Sequence, residues 1–306
     1  MTAASVNQGV RSEPRNWPAP SAVLELLKPI TWFPPMWAFT CGAIASGVAL
    51  RDRLPLLALG LLITGPLVCA TSQAANDWYD RHVDAINEPQ RPIPSGRMPG
   101  TWGFRIALLW TALSLLAAIP LGITGMFAVA IALAFAWAYS APPLRFKQNG
   151  WIGNLAVGVT YEGLAWITGT LIMLGGVLPS AGILMIAALY SLGAHGILTL
   201  NDFKSVEGDR QMGIRSLPAS LGITRAAWVL CVVMIVPQLV VIALLAMWGK
   251  PVHASAIGGL VVVQLGLMAR FLAEPKSRAL FLSAVGVPFY VWGMMVAAFA
   301  LKGIAA

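Results

Sequence analysis

Apolar residues run through most of this 306-residue chain in blocks of roughly twenty, with the polar residues gathered between them. The blocks are apolar on every side of the helices they would form. A helix needs about 20 apolar residues to cross a bilayer. The pattern therefore predicts about nine spans, near 31–50, 54–75, 102–119, 121–141, 152–175, 181–200, 225–248, 254–272 and 279–301. A membrane β-barrel would instead show segments of about ten residues alternating in polarity. The expected fold class is all-α, a multi-pass membrane protein.

The connections between blocks are unequal. Those near 120 and 176–180 are short and uncharged, whereas 76–101 and 201–224 are long, charged and punctuated by Gly and Pro (RPIPSGRMPG, GIRSLPASLG). Long loops in compact proteins are usually functional or disordered. These two directly follow acidic clusters, which predicts a polar cap over a central cavity. The clusters follow the second and sixth spans, suggesting two similar helical units, spans 1–4 and 5–8, with a ninth added. Residues 1–28 are polar and contain Pro, Arg11, Arg15 and Lys28. No compact apolar core with a small-residue cleavage site follows, so they read as a retained cytosolic tail and not a signal peptide. Residues 29–306 are left as the transmembrane domain.

Composition agrees: 58% of residues are hydrophobic and 10% charged, against roughly 25% charged in soluble domains. The net charge of +8 does not indicate nucleic-acid binding in so apolar a chain; it indicates orientation. With the N-terminus in the cytoplasm, nine spans put all the Lys and Arg on that side except Arg51, Arg53, Lys250 and Lys302. The positive-inside rule then favours a cytoplasmic N-terminus and a C-terminus across the membrane. Both acidic clusters fall on the cytoplasmic face. Cys41, Cys69 and Cys231 lie in apolar segments, with no metal-site or disulfide spacing. They read as small buried hydrophobes.

The chemistry is concentrated in the two clusters, NDWYDRHVD and NDFKSVEGDR. Asn76, Asp80 and Asp84 recur at i, i+4 and i+8, and Asp77 precedes Asp80 by three, so all four are expected on one helical stripe. Asp202 and Asp209 are seven apart, with Ser205 between them. Carboxylates this close repel one another unless a cation sits between them. Mg²⁺ is the natural cation, since it takes a few carboxylates plus substrate phosphates and water. Two clusters facing each other would clamp two ions around a diphosphate. Arg and Lys complete such a site, Arg by forked hydrogen bonds to phosphate oxygens. Arg91, Arg145 and Lys147 are the foremost candidates, with Arg97, Lys204, Arg210 and Arg215 also near the clusters and Tyr139 and Asn154 flanking the basic pair.

The spacing Asn76-xxx-Asp80-xxx-Asp84, the loop RPIPSG, the stretch YSAPPLRFK and the segment DFKSVEGDR resemble the UbiA superfamily of intramembrane prenyltransferases, from about residue 25 to the end. NDWYDRHVDAINEPQRPIPSGR and LNDFKSVEGDRQMGIRSLP resemble its chlorophyll and bacteriochlorophyll synthase branch most. The resemblance implies nine helices around a central cavity, two Mg²⁺ ions and isoprenoid transfer from a diphosphate. Aspartates 77, 80, 84, 202 and 209 would hold metal, while Asn76, Arg91, Arg145, Lys147, Lys204 and Arg210 would bind diphosphate. One departure stands out. Many members have a second motif DxxDxxxD, whose middle position here is Ser205, so metal held there rests on Asp202 and Asp209.

For the pigment branch the implied acceptor is the propionate of bacteriochlorophyllide, and the donor geranylgeranyl or phytyl diphosphate. A propionate titrates near glutamate, at about 4.3, so it arrives ionised and needs no general base. The membrane supplies both substrates, and a site sunk in it excludes water. Trp and Phe side chains, Trp78, Trp137 and Trp166 among them, suit helix packing and interfacial belts or the lining of a tail channel. Glu162 and His195 are intramembrane ionisable groups and hence functional candidates by default. His195 could ligate the pigment's magnesium, or join an interhelical hydrogen bond; His82 reads as a loop residue. A transporter would place its acids near mid-membrane, and the DGxxAR-type motif of CDP-alcohol phosphotransferases is absent.

Overall fold

The computed structural model describes residues 16–302. It is built of helices, and among the described residues the sole β-type pairing is an isolated bridge between Asn149 and Arg215. A short helix α1 (Pro20–Leu27) precedes α2 (Phe33–Ala45). The long α3 (Leu50–Asn87) follows, then α4 (Trp102–Ala118), α5 (Gly122–Ser140), α6 (Gly150–Met173) and α7 (Ala181–Asp202). Two short helices, α8 (Val206–Gln211) and α9 (Leu217–Leu221), cross the end of the bundle. The chain closes with α10 (Ile223–Met247), α11 (Pro251–Ala273) and α12 (Pro275–Leu301).

By length and apolar composition, seven continuous helical stretches are able to cross a membrane. The difference from the nine expected lies in two places. The stretch Trp102–Ser140 is folded at Ile119–Leu121, where Pro120 and a left-handed Gly122 (φ 73°) interrupt the helix. Its halves α4 and α5 pack on each other and on α3. The first expected span is a 13-residue helix, α2, opened by Pro34 and Pro35 and followed by Gly47 at φ 78°. Exposed Leu109, Leu116, Phe127, Leu239, Val262 and Phe299 give the bundle an apolar exterior.

Small residues set the helix spacing. A Cβ on Gly42 of α2 would lie 1.9 Å from the Trp166 carbonyl oxygen of α6, and one on Gly169 would lie 2.2 Å from that of Phe39. Without Cβ atoms the two backbones meet directly, and the Thr170 hydroxyl donates to the Gly42 carbonyl at 2.8 Å. Trp166 stacks on Tyr190 of α7 at 6.0 Å, and the Tyr290 hydroxyl donates to the Tyr190 carbonyl at 2.5 Å. Gln238 and Gln264 exchange amide hydrogen bonds of 3.0 Å between α10 and α11, satisfying polar groups that the bilayer core cannot.

Three stretches are π-helical: Ile63–Cys69 within α3, around Pro66, Val159–Leu164 within α6, and Leu282–Gly286 within α12. Such segments occur frequently at functional sites. Ala22, Leu26 and Leu27 of α1 pack in one cluster with Ala70, Ala74 and Ala75 of α3. Arg11 and Arg15 lie outside the described residues.

Enlarging Gly42 to Leu is expected to force α2 off α6 and to destabilise the protein by at least the ~1–3 kcal/mol typical of overpacking. A thermal-unfolding midpoint unchanged in detergent would show that this crossing is loose.

Candidate active site

The last turns of α3 carry the first acidic cluster. Asn76 donates to Asp80 at 3.1 Å and to Ser140 of α5 at 3.2 Å. Asp80 accepts from the Lys147 ammonium at 2.5 Å, and Asp84 from Arg91 at 2.9 Å. Asp77, 2% exposed, pairs with Lys28 at 2.6 Å and with Arg91 at 3.3 Å. Burial disfavours the charge on Arg91, but Asp77, Asp84 and Glu88 together hold its pKa above the ordinary value. Burial pulls the Lys147 ammonium below the ordinary lysine value, against the attraction of Asp80.

The second cluster stands opposite, at the end of α7. Asn154 of α6 donates to Asp202 and to Thr199, both at 3.1 Å. Asp209 on α8 accepts from Ser205 at 3.0 Å and from Ser216 at 2.6 Å. Ser205 thus holds the neighbouring carboxylate. The loop bearing Lys147 lies tightly on α6 because Gly153 has no side chain: a Cβ there would be 3.0 Å from the Phe146 carbonyl oxygen. Asn149 caps α6, accepting from the backbone of Trp151 and Ile152 at 3.0 and 3.2 Å. Gly150 N–H donates to the Arg215 carbonyl at 2.9 Å, joining this loop to the one after α8.

These segments enclose a polar cavity of about 230 Å³ walled by Asn76, Asp80, Asp84, Arg91, Lys147, Asn154, Asp202, Ser205, Asp209 and Ser216. It shares Asn76 and Tyr139 with a deeper cavity of about 340 Å³, whose wall includes Gln73, Tyr161, Glu162 and Asn201. Past Tyr139 and Tyr161 come two narrow slots lined mainly by apolar residues, among them Val68, Phe135, Val129 and Leu164. Polarity falls along this path, from carboxylates to hydrocarbon.

Among the described residues no three or more Asp, Glu, His or Cys form a ready-made metal cage. The donor set nevertheless fits Mg²⁺, which takes one or two carboxylates and completes its octahedron with substrate phosphate and water. Asp80 and Asp84 come from one wall, and Asp202 and Asp209 from the other.

Asp77, Arg97, Arg145, Lys204, Arg210 and Arg215 do not line this cavity. Asp77 turns toward Lys28 and Arg91, so the Asn–Asp pairs of the two clusters differ in role: Asp202 faces the cavity and Asp77 does not. Lys204 is exposed because its neighbour Phe203 is the buried anchor, packed on Phe271 at 5.5 Å. Arg210 is exposed and 3.7 Å from Glu207. Arg145 adopts a left-handed conformation (φ 37°), and its Nε is buried without a partner. Arg97 is engaged by Glu25 at 2.6 and 3.0 Å.

Other residues gain importance. Lys28, 49 positions from Asp77, gave no sequence signal for this pairing. Gln73 gave one, lying one turn before Asn76 on the same stripe. Trp78 packs with Phe104 and Arg81, Trp137 donates to Thr111, and Trp166 is buried against Tyr190. His82 is exposed.

Residues 31–292 match the UbiA prenyltransferase family. The bacteriochlorophyll synthase 33 kDa chain of Cereibacter sphaeroides is 53% identical over 95% of this chain and 96% of its own length. The corresponding chain of Rhodobacter capsulatus is 50% identical over 94% and 96%. Rice chloroplast chlorophyll synthase (Oryza sativa subsp. japonica) is 39% identical over 90% and 76%. Among solved structures, a UbiA homologue from Archaeoglobus fulgidus bound to DMAPP and Mg²⁺ superposes with a TM-score of 0.65 at 21% identity, over 92% of this chain and 99% of that one. With the family match spanning most of the sequence and relatives of this identity matched along nearly their whole length, the chain belongs to the UbiA prenyltransferase family.

Proposed function

We propose that this chain esterifies the propionate of bacteriochlorophyllide with geranylgeranyl or phytyl diphosphate, releasing diphosphate. The observation that carries the reading is the joined path from a polar cavity, through a membrane-depth chamber, into apolar slots. It matches a donor with a charged head and a hydrocarbon tail. The choice of acceptor draws support from the 53% identity to the Cereibacter bacteriochlorophyll synthase chain.

In the proposed reaction a propionate oxygen forms a bond to the first carbon of the isoprenoid. The bond from that carbon to the diphosphate oxygen breaks, and its electron pair leaves with diphosphate. No proton moves, because the propionate is already ionised. Two Mg²⁺ ions, held by Asp80 and Asp84 on one wall and Asp202 and Asp209 on the other, would supply Lewis-acid stabilisation of the leaving diphosphate. Arg91 and Lys147 exchange a carboxylate partner for phosphate oxygens as the donor enters. Asn154, Ser205 and Ser216 hold the carboxylates of the second wall in place. Tyr139 stands where polar cavity, chamber and slot meet, so its ring faces the positive charge developing on the allylic carbon. The basic residues gathered at this end of the bundle favour a cytoplasmic site face in the photosynthetic membrane.

The direct test supplies the purified chain with bacteriochlorophyllide, geranylgeranyl diphosphate and Mg²⁺, with EDTA as control, and looks for the ester by chromatography. A Mg²⁺-dependent ester is expected. Diphosphate release only with a quinone or haem acceptor would reassign the substrate. Asp80→Asn and Asp202→Asn are each expected to lower the rate about 10²–10³-fold, as loss of a preorganised electrostatic group does; a wild-type rate in either would remove that wall from the site. Lys204→Ala and Arg210→Ala, off the cavity, are expected to leave the rate unchanged. Tyr139→Phe is expected to keep most of the activity and Tyr139→Leu to lose it, and equal rates for the two would take the aromatic face out of the mechanism.

A further inference from the structure

On another side of the bundle, α6, α7 and α10 leave a groove of about 460 Å³ that shares no lining residue with the polar cavity or the chamber. Its walls are apolar, with Leu155, Leu192, Val232 and Val236 partly exposed at the surface of the bundle. One titratable residue lies on the wall: His195. It is 5% exposed, and among the described residues neither Nδ1 nor Nε2, both buried, has a hydrogen-bond partner. The Trp151 indole sits beside it, ring centroids 5.4 Å apart.

A buried imidazole without partners is costly and unusual, and the walls limit what can satisfy it. An acyl or isoprenoid chain fills the groove and leaves the nitrogens unpaired. A free metal ion finds a single ligand among hydrocarbon side chains. A flat apolar molecule that brings its own metal, with an axial position open, meets both demands at once. Neutral imidazole is the commonest protein ligand for metals. Ligating histidines characteristically donate their other N–H to a carbonyl or carboxylate. The groove is also coupled to the active site: the Thr199 hydroxyl donates to the His195 carbonyl at 2.9 Å and accepts from Asn154, which holds Asp202.

We propose that the groove between α6, α7 and α10 holds a magnesium tetrapyrrole taken from the bilayer, with one His195 nitrogen as its axial ligand. One coordinate bond forms, from the imidazole lone pair to magnesium, displacing any solvent ligand on that face. The proposal rests on the reading that acceptor and product are magnesium tetrapyrroles, and it places a second pigment away from the point of ester formation. The same chemistry admits the acid acceptor before reaction or the ester product after it.

The test titrates bacteriochlorophyllide, bacteriochlorophyll and their magnesium-free counterparts into the full chain in lipid nanodiscs, without prenyl diphosphate. Affinity and the resonance Raman marker of magnesium coordination are recorded. The magnesium forms are expected to bind at least tenfold more tightly than the metal-free ones, with a histidine-ligated signature absent in His195→Leu. Val236→Trp, which fills the groove from its exposed side and leaves His195 in place, should lose the same signature. Tighter binding of the acid would mark an acceptor store, and of the ester a product exit; either supports the site. Equal binding of metal-free and magnesium macrocycles, or a signature retained in both variants, would overturn it. Because no donor is present, this readout is independent of the esterification assay. A chain that forms no ester can still show the signature, and an active one can lack it.

Discussion

Charge compensation at one end of an apolar bundle is the constraint on which the rest of the site depends. Asp77, Asp80 and Asp84 project from a single helix into surroundings that solvate ions poorly, and each requires a cation. Those cations arrive from three separate places: Lys28 from the N-terminal segment, Arg91 from the loop after α3, and Lys147 from the loop after α5. The pairs therefore tie the cap together. Buried ion pairs are weak evidence of stability, because desolvation offsets much of their attraction, but removing one partner leaves a buried charge uncompensated. A diphosphate accompanied by its own cations can take over these partners without leaving any charge bare. The same groups that hold the apo cap can thus receive the donor.

The second wall is built differently. Asp202 and Asp209 are held by an amide and two hydroxyls, with no salt bridge to either among the described residues. Neutral donors orient a carboxylate without supplying a counter-charge, leaving that to a bound cation. The asymmetry gives the two acidic clusters distinct work despite their similar sequences. Ser205 belongs to this arrangement, since its hydroxyl orients Asp209 in place of adding a further charge.

Below the cap, close backbone contact and π-helical turns shape the chamber. Gly42 and Gly169 bring α2 against α6, and the Val159–Leu164 turn sets Tyr161 and Glu162 on the chamber wall. Among the described residues Glu162 Oε2 has no partner.

The sequence by itself determined the all-helical membrane class and the stripe of Asn76, Asp80 and Asp84. It also placed the second cluster at the exit of another span. These follow from local periodicity: 3.6 residues per turn fixes which side chains share a face, and roughly twenty apolar residues mark a span. Tertiary structure decided what local spacing cannot reach. It folded Trp102–Ser140 back on itself, docked α1 through Ala22 and Leu26, and turned Asp77 toward a lysine 49 residues away. It sent Lys204 outward because its neighbour Phe203 is buried against Phe271, a choice invisible in a charged loop. It also left His195 without a partner at the foot of an apolar groove, since only the packing of three helices separates a satisfied imidazole from an open one.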